Sequence, residues 1–212
     1  MSKANLVLLL VVVALAAAGV VGYRRLVPAD SAEGTLLPEG LGSGAADAVA
    51  TALGRPGKVV LIVPQRGNFK DPVIELQRAA FTKTLGRVGG MTLLATEIIE
   101  TERPGTMGTG GMDPEQFLQF VQRHADARAI VSLAGLPDFP DASLAKFADK
   151  KLVIVGTVSP RLKSLLIDGV VQAAIIPRLR PAATDAKPPR TASEWFARTY
   201  EVIIPATAGS LP

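Results

Sequence analysis

The stretch Lys58–Asn68, KVVLIVPQRGN, constrains the fold more than any other part of the chain. Val59, Val60, Leu61, Ile62 and Val63 form an unbroken, mostly β-branched aliphatic run. A strand with one solvent face alternates apolar and polar residues. A run that is apolar at every position has no such face and belongs inside a parallel sheet covered on both sides. Pro64 ends the run, and Gly67-Asn68 turns the chain towards a helix.

The chain downstream repeats that pattern. Asp71-Pro72 opens a helix, with Asp as the N-cap and Pro in the first helical position. Val73, Ile74, Gln77, Ala80, Phe81, Thr84 and Leu85 recur at three- and four-residue spacings and make one face. Met91–Ile99 reads as the second strand, followed by a glycine-rich loop, Arg103–Met112. Asp113-Pro114-Glu115-Gln116 is close to a capping box and starts a second helix with Phe117, Leu118, Val121 and Ala125 inward. Ala129–Leu133, Leu152–Val155 and Val170–Ile176 are the third to fifth strands. Pro140-Asp141 opens a helix with Leu144, Phe147 and Ala148 inward, and Ser159-Pro160 opens one with Leu162, Leu165 and Leu166. Strands and helices alternating at crossover length predict right-handed βαβ units. The fold class is therefore α/β: a doubly wound, Rossmann-like parallel sheet in the order 2-1-3-4-5 with the first strand central. Residues 177–212 form a proline-rich extension, with a sixth strand, Glu201–Ile204, at a sheet edge and a loose tail. Trp195, Phe196 and Tyr200 share one helical face and are expected to pin this extension to the sheet.

Residues 1–57 have a different character. Leu6–Gly22 is seventeen residues without a charge, preceded by Lys3 and followed by Arg24-Arg25. Its length is at the short end for a membrane-spanning helix, and Ala16-Ala17-Ala18 also fits an A-x-A signal cleavage site. The run is long for a signal core and Tyr23-Arg24-Arg25 supplies an interfacial stop. An uncleaved N-terminal transmembrane anchor over residues 1–27 is the favoured reading. The flanking positive charges nearly balance, which leaves its orientation open. Pro28–Gly57, rich in Ala, Gly, Ser and Pro, reads as a flexible linker spanning about 30 Å, with a short helix over Ala45–Leu53. The α/β domain itself is expected over residues 58–176.

Composition removes several chemistries. The chain has no cysteine, which excludes disulfides, zinc–cysteine sites and thiol catalysis. A net charge of +4, with no Lys/Arg run interleaved with aromatics, argues against a nucleic-acid partner. His124 is the single histidine, placed late in the second helix, and a Ser-His-Asp triad or a histidine metal site would have to use it. It is expected to be a helix residue without such a role. Glu97, Glu100 and Glu102 are expected to be solvated acids at a strand end. Gly105–Asp113, GTMGTGGMD, precedes a helix as a phosphate loop does, but it lacks the Gly-Lys-Ser/Thr ending. Asp113 also puts negative charge where a phosphate would sit. No catalytic residue, metal or cofactor is assigned.

Lys58–Ile176 resembles one lobe of the periplasmic sugar-binding proteins and the related lac-repressor-type effector domains, the type I periplasmic-binding-protein-like family. The matching phrases are KVVLIVPQRGNF, DPEQFLQFVQRHADARAIVSLAG and KLVIVGTV. The resemblance implies ligand contacts at the carboxyl ends of the strands, with Asn68 and Phe69 where family members place ligand-contacting residues. Thr157 stands where the family has an acidic residue. In open α/β sheets that rim is where ligands sit, and here it comprises Gln65, Arg66, Asn68, Phe69, Ser132, Asp138, Thr157 and Ser159. The family binds between two lobes, and only one fits in this chain. The expected function is a membrane-anchored, non-enzymatic binding or scaffolding domain, extracytoplasmic, that recognises a protein partner or another copy of itself. The alternative is a receptor for a sugar-like solute assembled from two lobes. An enzyme using the rim is a third reading, disfavoured by the scarcity of acid–base residues there.

Overall fold

A computed structural model of the chain describes residues 32–54, 56–65, 67, 70–101, 112–156, 161–178 and 189–211. In chain order the elements are α1 (Ala32–Leu53), β1 (Gly57–Gln65), α2 (Pro72–Leu85), β2 (Met91–Glu100), α3 (Pro114–Arg123), β3 (Ala129–Ser132), α4 (Asp141–Leu144), β4 (Lys151–Val155), α5 (Leu162–Ile167), β5 (Val171–Pro177), α6 (Ala192–Thr199) and β6 (Tyr200–Ile203). Short 3-10 turns follow α4 (Ala145–Phe147) and β6 (Pro205–Ser210). The sheet order is β2-β1-β3-β4-β5-β6. The first five strands are parallel, in the expected order, and β6 adds to the β5 edge antiparallel.

The aliphatic run of β1 is buried from Val59 to Val63. Its residues divide between two cores, as strand alternation requires. Val59, Leu61 and Val63 face α1 and α2, and Val60 and Ile62 face α3 and α5. Asp71 and Asp113 cap their helices as expected, accepting from Val73 N and Glu115 N at 2.9 Å. On α3 the buried stripe is Phe117, Leu118, Phe120 and Val121, and Ala125 lies beyond the helix and is exposed. Phe117, Phe139 and Phe147 pack edge-on or tilted, with ring centroids 5.2–6.1 Å apart.

Residues 32–53 are not a linker. They form a 22-residue helix whose Leu41, Ala45, Ala46, Ala48, Val49 and Leu53 are buried against β1, β3, β4 and β5. The composition that suggests coil serves close packing here. A Cβ added at Gly42 would collide with the backbone carbonyl of Gln77 on α2, and one at Gly44 with the ring of Phe196 on α6. Intrinsic propensity is low, so the helix depends on these tertiary contacts. The extension beyond β5 also belongs to the sheet, because β6 pairs with β5 and Phe196 and Tyr200 stack with centroids 5.9 Å apart. Among the described residues no helix is long and apolar enough to cross a membrane. Leu6–Gly22 lies outside them.

A β-bulge sets the phase of β2. Val59 pairs with Leu93 and Val60 with Ala95, so Leu94 is an extra residue. Leu94 and Ala95 both pack on the α3 side. Beyond the bulge, Glu97 and Ile99 face α3, and Thr96 and Ile98 face α2.

Two outcomes test this packing. Gly→Ala inside an exposed helix gains about 1 kcal/mol. Gly42→Ala should instead destabilise by about 1–3 kcal/mol in urea unfolding, while Gly209→Ala, with open space around it, should be close to neutral. Burial also raises the pKa of the Tyr200 phenol. The folded state therefore keeps this proton when the unfolded chain has lost it, and stability falls as pH rises past about 10. Tyr200→Phe should make the unfolding midpoint fall less between pH 9 and pH 11.

Candidate functional site at the carboxyl ends of the strands

The rim is assembled from the ends of adjacent strands. Gln65 closes β1. Its carbonyl accepts from Thr101 N at 3.0 Å, which ties the exits of β1 and β2 together. Its side-chain Nε2 donates to Gly67 O at 2.6 Å and braces the turn. Ser132 ends β3, in register with Ile62 of β1 and Ile154 of β4. It is fully buried, and among the described residues its Oγ has no hydrogen-bond partner. Burying an unsatisfied hydroxyl costs about 1–3 kcal/mol, so this group is a donor and acceptor held ready at a central strand end. Gln65 and Ser132 are thus on neighbouring strands, about 10 Å apart along the strand direction.

Asp138 lies in the segment after β3 with an exposed carboxylate, 3.3 Å from the guanidinium of Arg161. Arg161 also donates to the carbonyl of Phe139 and to Asp141. One side chain just before α5 therefore holds the segment that leaves β3. The structure brings Asp138 into this clamp and not into contact with Ser132 or Gln65 by any hydrogen bond. Arg66, Asn68, Phe69, Thr157 and Ser159 lie outside the described residues, as does most of the Gly105–Asp113 loop.

Two concavities escaped the sequence reading. One, of about 280 Å³, adjoins Gln65 and is lined by Lys70, Asp71, Glu75, Arg78, Thr96 and Ile98. The Arg78 guanidinium, 2.5 Å from Glu75, holds the Glu75 carboxyl below its usual pKa. The other, of about 860 Å³, is a groove over α1 between the end of α2 and the α6–β6 edge. Val202 and Ile204, 39% and 41% exposed, form part of its wall. A linker over residues 28–57 would leave no such groove. The groove is larger but lies away from the carboxyl ends of β1 and β3; of the two buried, unpartnered polar atoms among the described residues, Ser132 Oγ is at the rim and Trp195 Nε1 is on α6. Binding sites combine apolar walls with a few fixed polar groups, so the rim is the stronger candidate.

Glu97, expected to be a solvated acid, meets His124, which is partly buried at the end of α3. Glu97 Oε1 lies 2.6 Å from His124 Nε2, and its two oxygens accept from Arg123 at 3.1 and 3.2 Å. The bulge at Leu94 turns Glu97 to this side, which no local sequence signal discloses. The cluster staples β2 to the end of α3. Among the described residues no group of three or more His, Asp or Glu could hold a metal ion.

No protein-family model and no curated protein matches the chain. Solved structures do. The chain is similar to AraP, an arabinose-binding protein from Geobacillus stearothermophilus, with a TM-score of 0.57 at 14% identity over 82% of this chain and 63% of that one. A sugar-binding protein of a sugar ABC transporter from Bacillus halodurans gives 0.55 at 11%, over 82% and 64%. A XylFII–LytSN complex gives 0.53 at 12%, over 80% and 60%. The fold is that of the periplasmic sugar-binding proteins, and the chain spans less than two thirds of the length of these neighbours.

Removing the clamp has a local readout. Its two carboxylate partners are largely exposed and contribute little, so Arg161→Ala should lower global stability by only about 1 kcal/mol. Hydrogen exchange should nevertheless accelerate at 136–141, ahead of β3 and β4.

Proposed function

We propose that the chain is a non-enzymatic binding domain whose rim forms one wall of a site for a small polar solute of the sugar class. The buried, unpartnered hydroxyl of Ser132 at the end of a central strand carries this reading. A sugar hydroxyl both donates and accepts, and so does Ser132 Oγ. Its place beside β1 is the switch point at which open α/β sheets bind ligands. Likeness of fold to sugar-binding proteins supports the same class of ligand. In this reading Gln65, Arg66, Asn68, Phe69 and Thr157 supply the remaining contacts around Ser132, and Asp138 is positioned by Arg161. The neighbours being binding proteins supports a role without catalysis.

We place the opposite wall outside residues 32–211, because the fourteen residues that connect β5 to α6, 178–191, are too few for a second lobe. The XylFII–LytSN neighbour is a complex, which supports a protein partner for this chain beside the solute. The domain is placed on the extracytoplasmic side and held there by Leu6–Gly22.

Thermal shifts of the full chain in detergent, against a panel of pentoses and hexoses, test the reading. A saturable rise in Tm is expected with at least one sugar. Ser132→Ala should weaken that response about tenfold, equivalent to about 1.4 kcal/mol, while leaving the ligand-free Tm unchanged or higher, because it removes an unsatisfied hydroxyl. Absence of any shift, both in detergent and in native membranes, would refute solute binding.

A further inference from the structure

The direction of α1 decides which end of the domain the N-terminal segment leaves from. Three residues, 54–56, join α1 to β1, so the last turn of α1 lies at the amino ends of the strands. From there α1 runs alongside α2 in the same sense. Gly42 abuts the backbone of Gln77, Ser43 Oγ lies 3.2 Å from Thr84 Oγ1, and Asp47 and Thr51 share a groove with Thr84 and Arg87. Because α2 starts at the rim, the first turn of α1 also points to the rim. At about 1.5 Å per residue α1 is about 33 Å long, longer than β3, β4 or β5. Only residues 23–31, nine in all, separate Gly22 from Ala32. Nine residues reach at most about 30 Å.

We propose that the rim is the membrane-facing end of the domain, and that the protein completing its site is carried by the same membrane. The inference rests on the two readings above: Leu6–Gly22 as an anchor, and the rim as the binding surface. A domain tethered by nine residues beside its rim presents that end to the bilayer, and a partner from bulk solution has to enter the gap between them. Charge favours a protein over lipid headgroups as the occupant. Lys70 and Arg161 interleave with Asp71, Glu100 and Asp138 around the rim, whereas anionic lipid selects clustered basic residues.

The chain has no cysteine, so single thiols report position cleanly. Lys70→Cys marks the rim and Asp168→Cys, at the end of α5, marks the opposite end. Each full-length variant is labelled with a fluorophore and reconstituted in vesicles of phosphatidylcholine carrying a headgroup-level quencher. Quenching at least threefold stronger for Lys70→Cys is expected, and equal or reversed quenching overturns the orientation. Failure of the chain to float with vesicles overturns the anchor and this inference with it. Loss of the sugar response alone, with quenching intact, overturns only the solute reading. Replacing a third of the lipid with phosphatidylglycerol should leave the ratio unchanged, and a large rise makes lipid the occupant. In native membranes a thiol cross-linker on Lys70→Cys should give an adduct that resists an alkaline wash, absent from Asp168→Cys. An adduct released by that wash overturns the membrane-borne partner.

Discussion

The domain depends on how closely α1 approaches its neighbours. A parallel sheet has two apolar faces, and each has to be covered. On one face α3, the turn at Ala145–Phe147, α5 and the turn at Pro205–Ser210 do this with large side chains such as Phe117, Phe147 and Leu166. On the other, α1 lies across β3, β4 and β5 with little more than alanine, leucine and valine beneath it. Such a helix holds only if its backbone sits near the sheet and near α2 and α6. Gly42 and Gly44 permit that approach, because any side chain there would meet the Gln77 backbone or the Phe196 ring. The same sparse helix leaves the broad groove above it.

The strand–helix alternation, the central place of β1 and both Asp-Pro caps were legible in the sequence because each has a local signature. A run of aliphatics without polar interruption reports burial on two faces, and an Asp before a Pro reports the start of a helix. The N-terminal helix was legible only in its last part, Ala45–Leu53. Gly and Ser between residues 34 and 44 carry no helical signal by themselves, and their value appears only beside Gln77 and Phe196. β6 lies at the sheet edge as expected, starting and ending one residue earlier than Glu201–Ile204, and its antiparallel direction has no signal in the sequence.

The candidate site was legible in location and only partly in detail. Strand ends can be read from where an aliphatic run stops, and Gln65 and Ser132 stand at two such stops. That Ser132 would be wholly buried with an idle hydroxyl depends on the neighbouring strands, and that Arg161 would clamp Asp138 depends on a contact across 23 residues of sequence. Glu97, expected to be solvated, is largely covered for a third reason. A strand with strict alternation would be read in one phase throughout, and the extra residue at Leu94 changes the phase midway.

That extra residue has a bearing on solubility as well. β2 is ten residues long and lies at the margin of the sheet, with one side of its backbone facing outward. A straight margin of this length, with no proline and few charges, invites strand-to-strand stacking between molecules. The kink at Leu94 divides it into two shorter segments of different twist. At the far margin β6 has only four residues. Neither border offers a long flat ladder for another chain to extend, which guards the domain against fibrous growth along its sides.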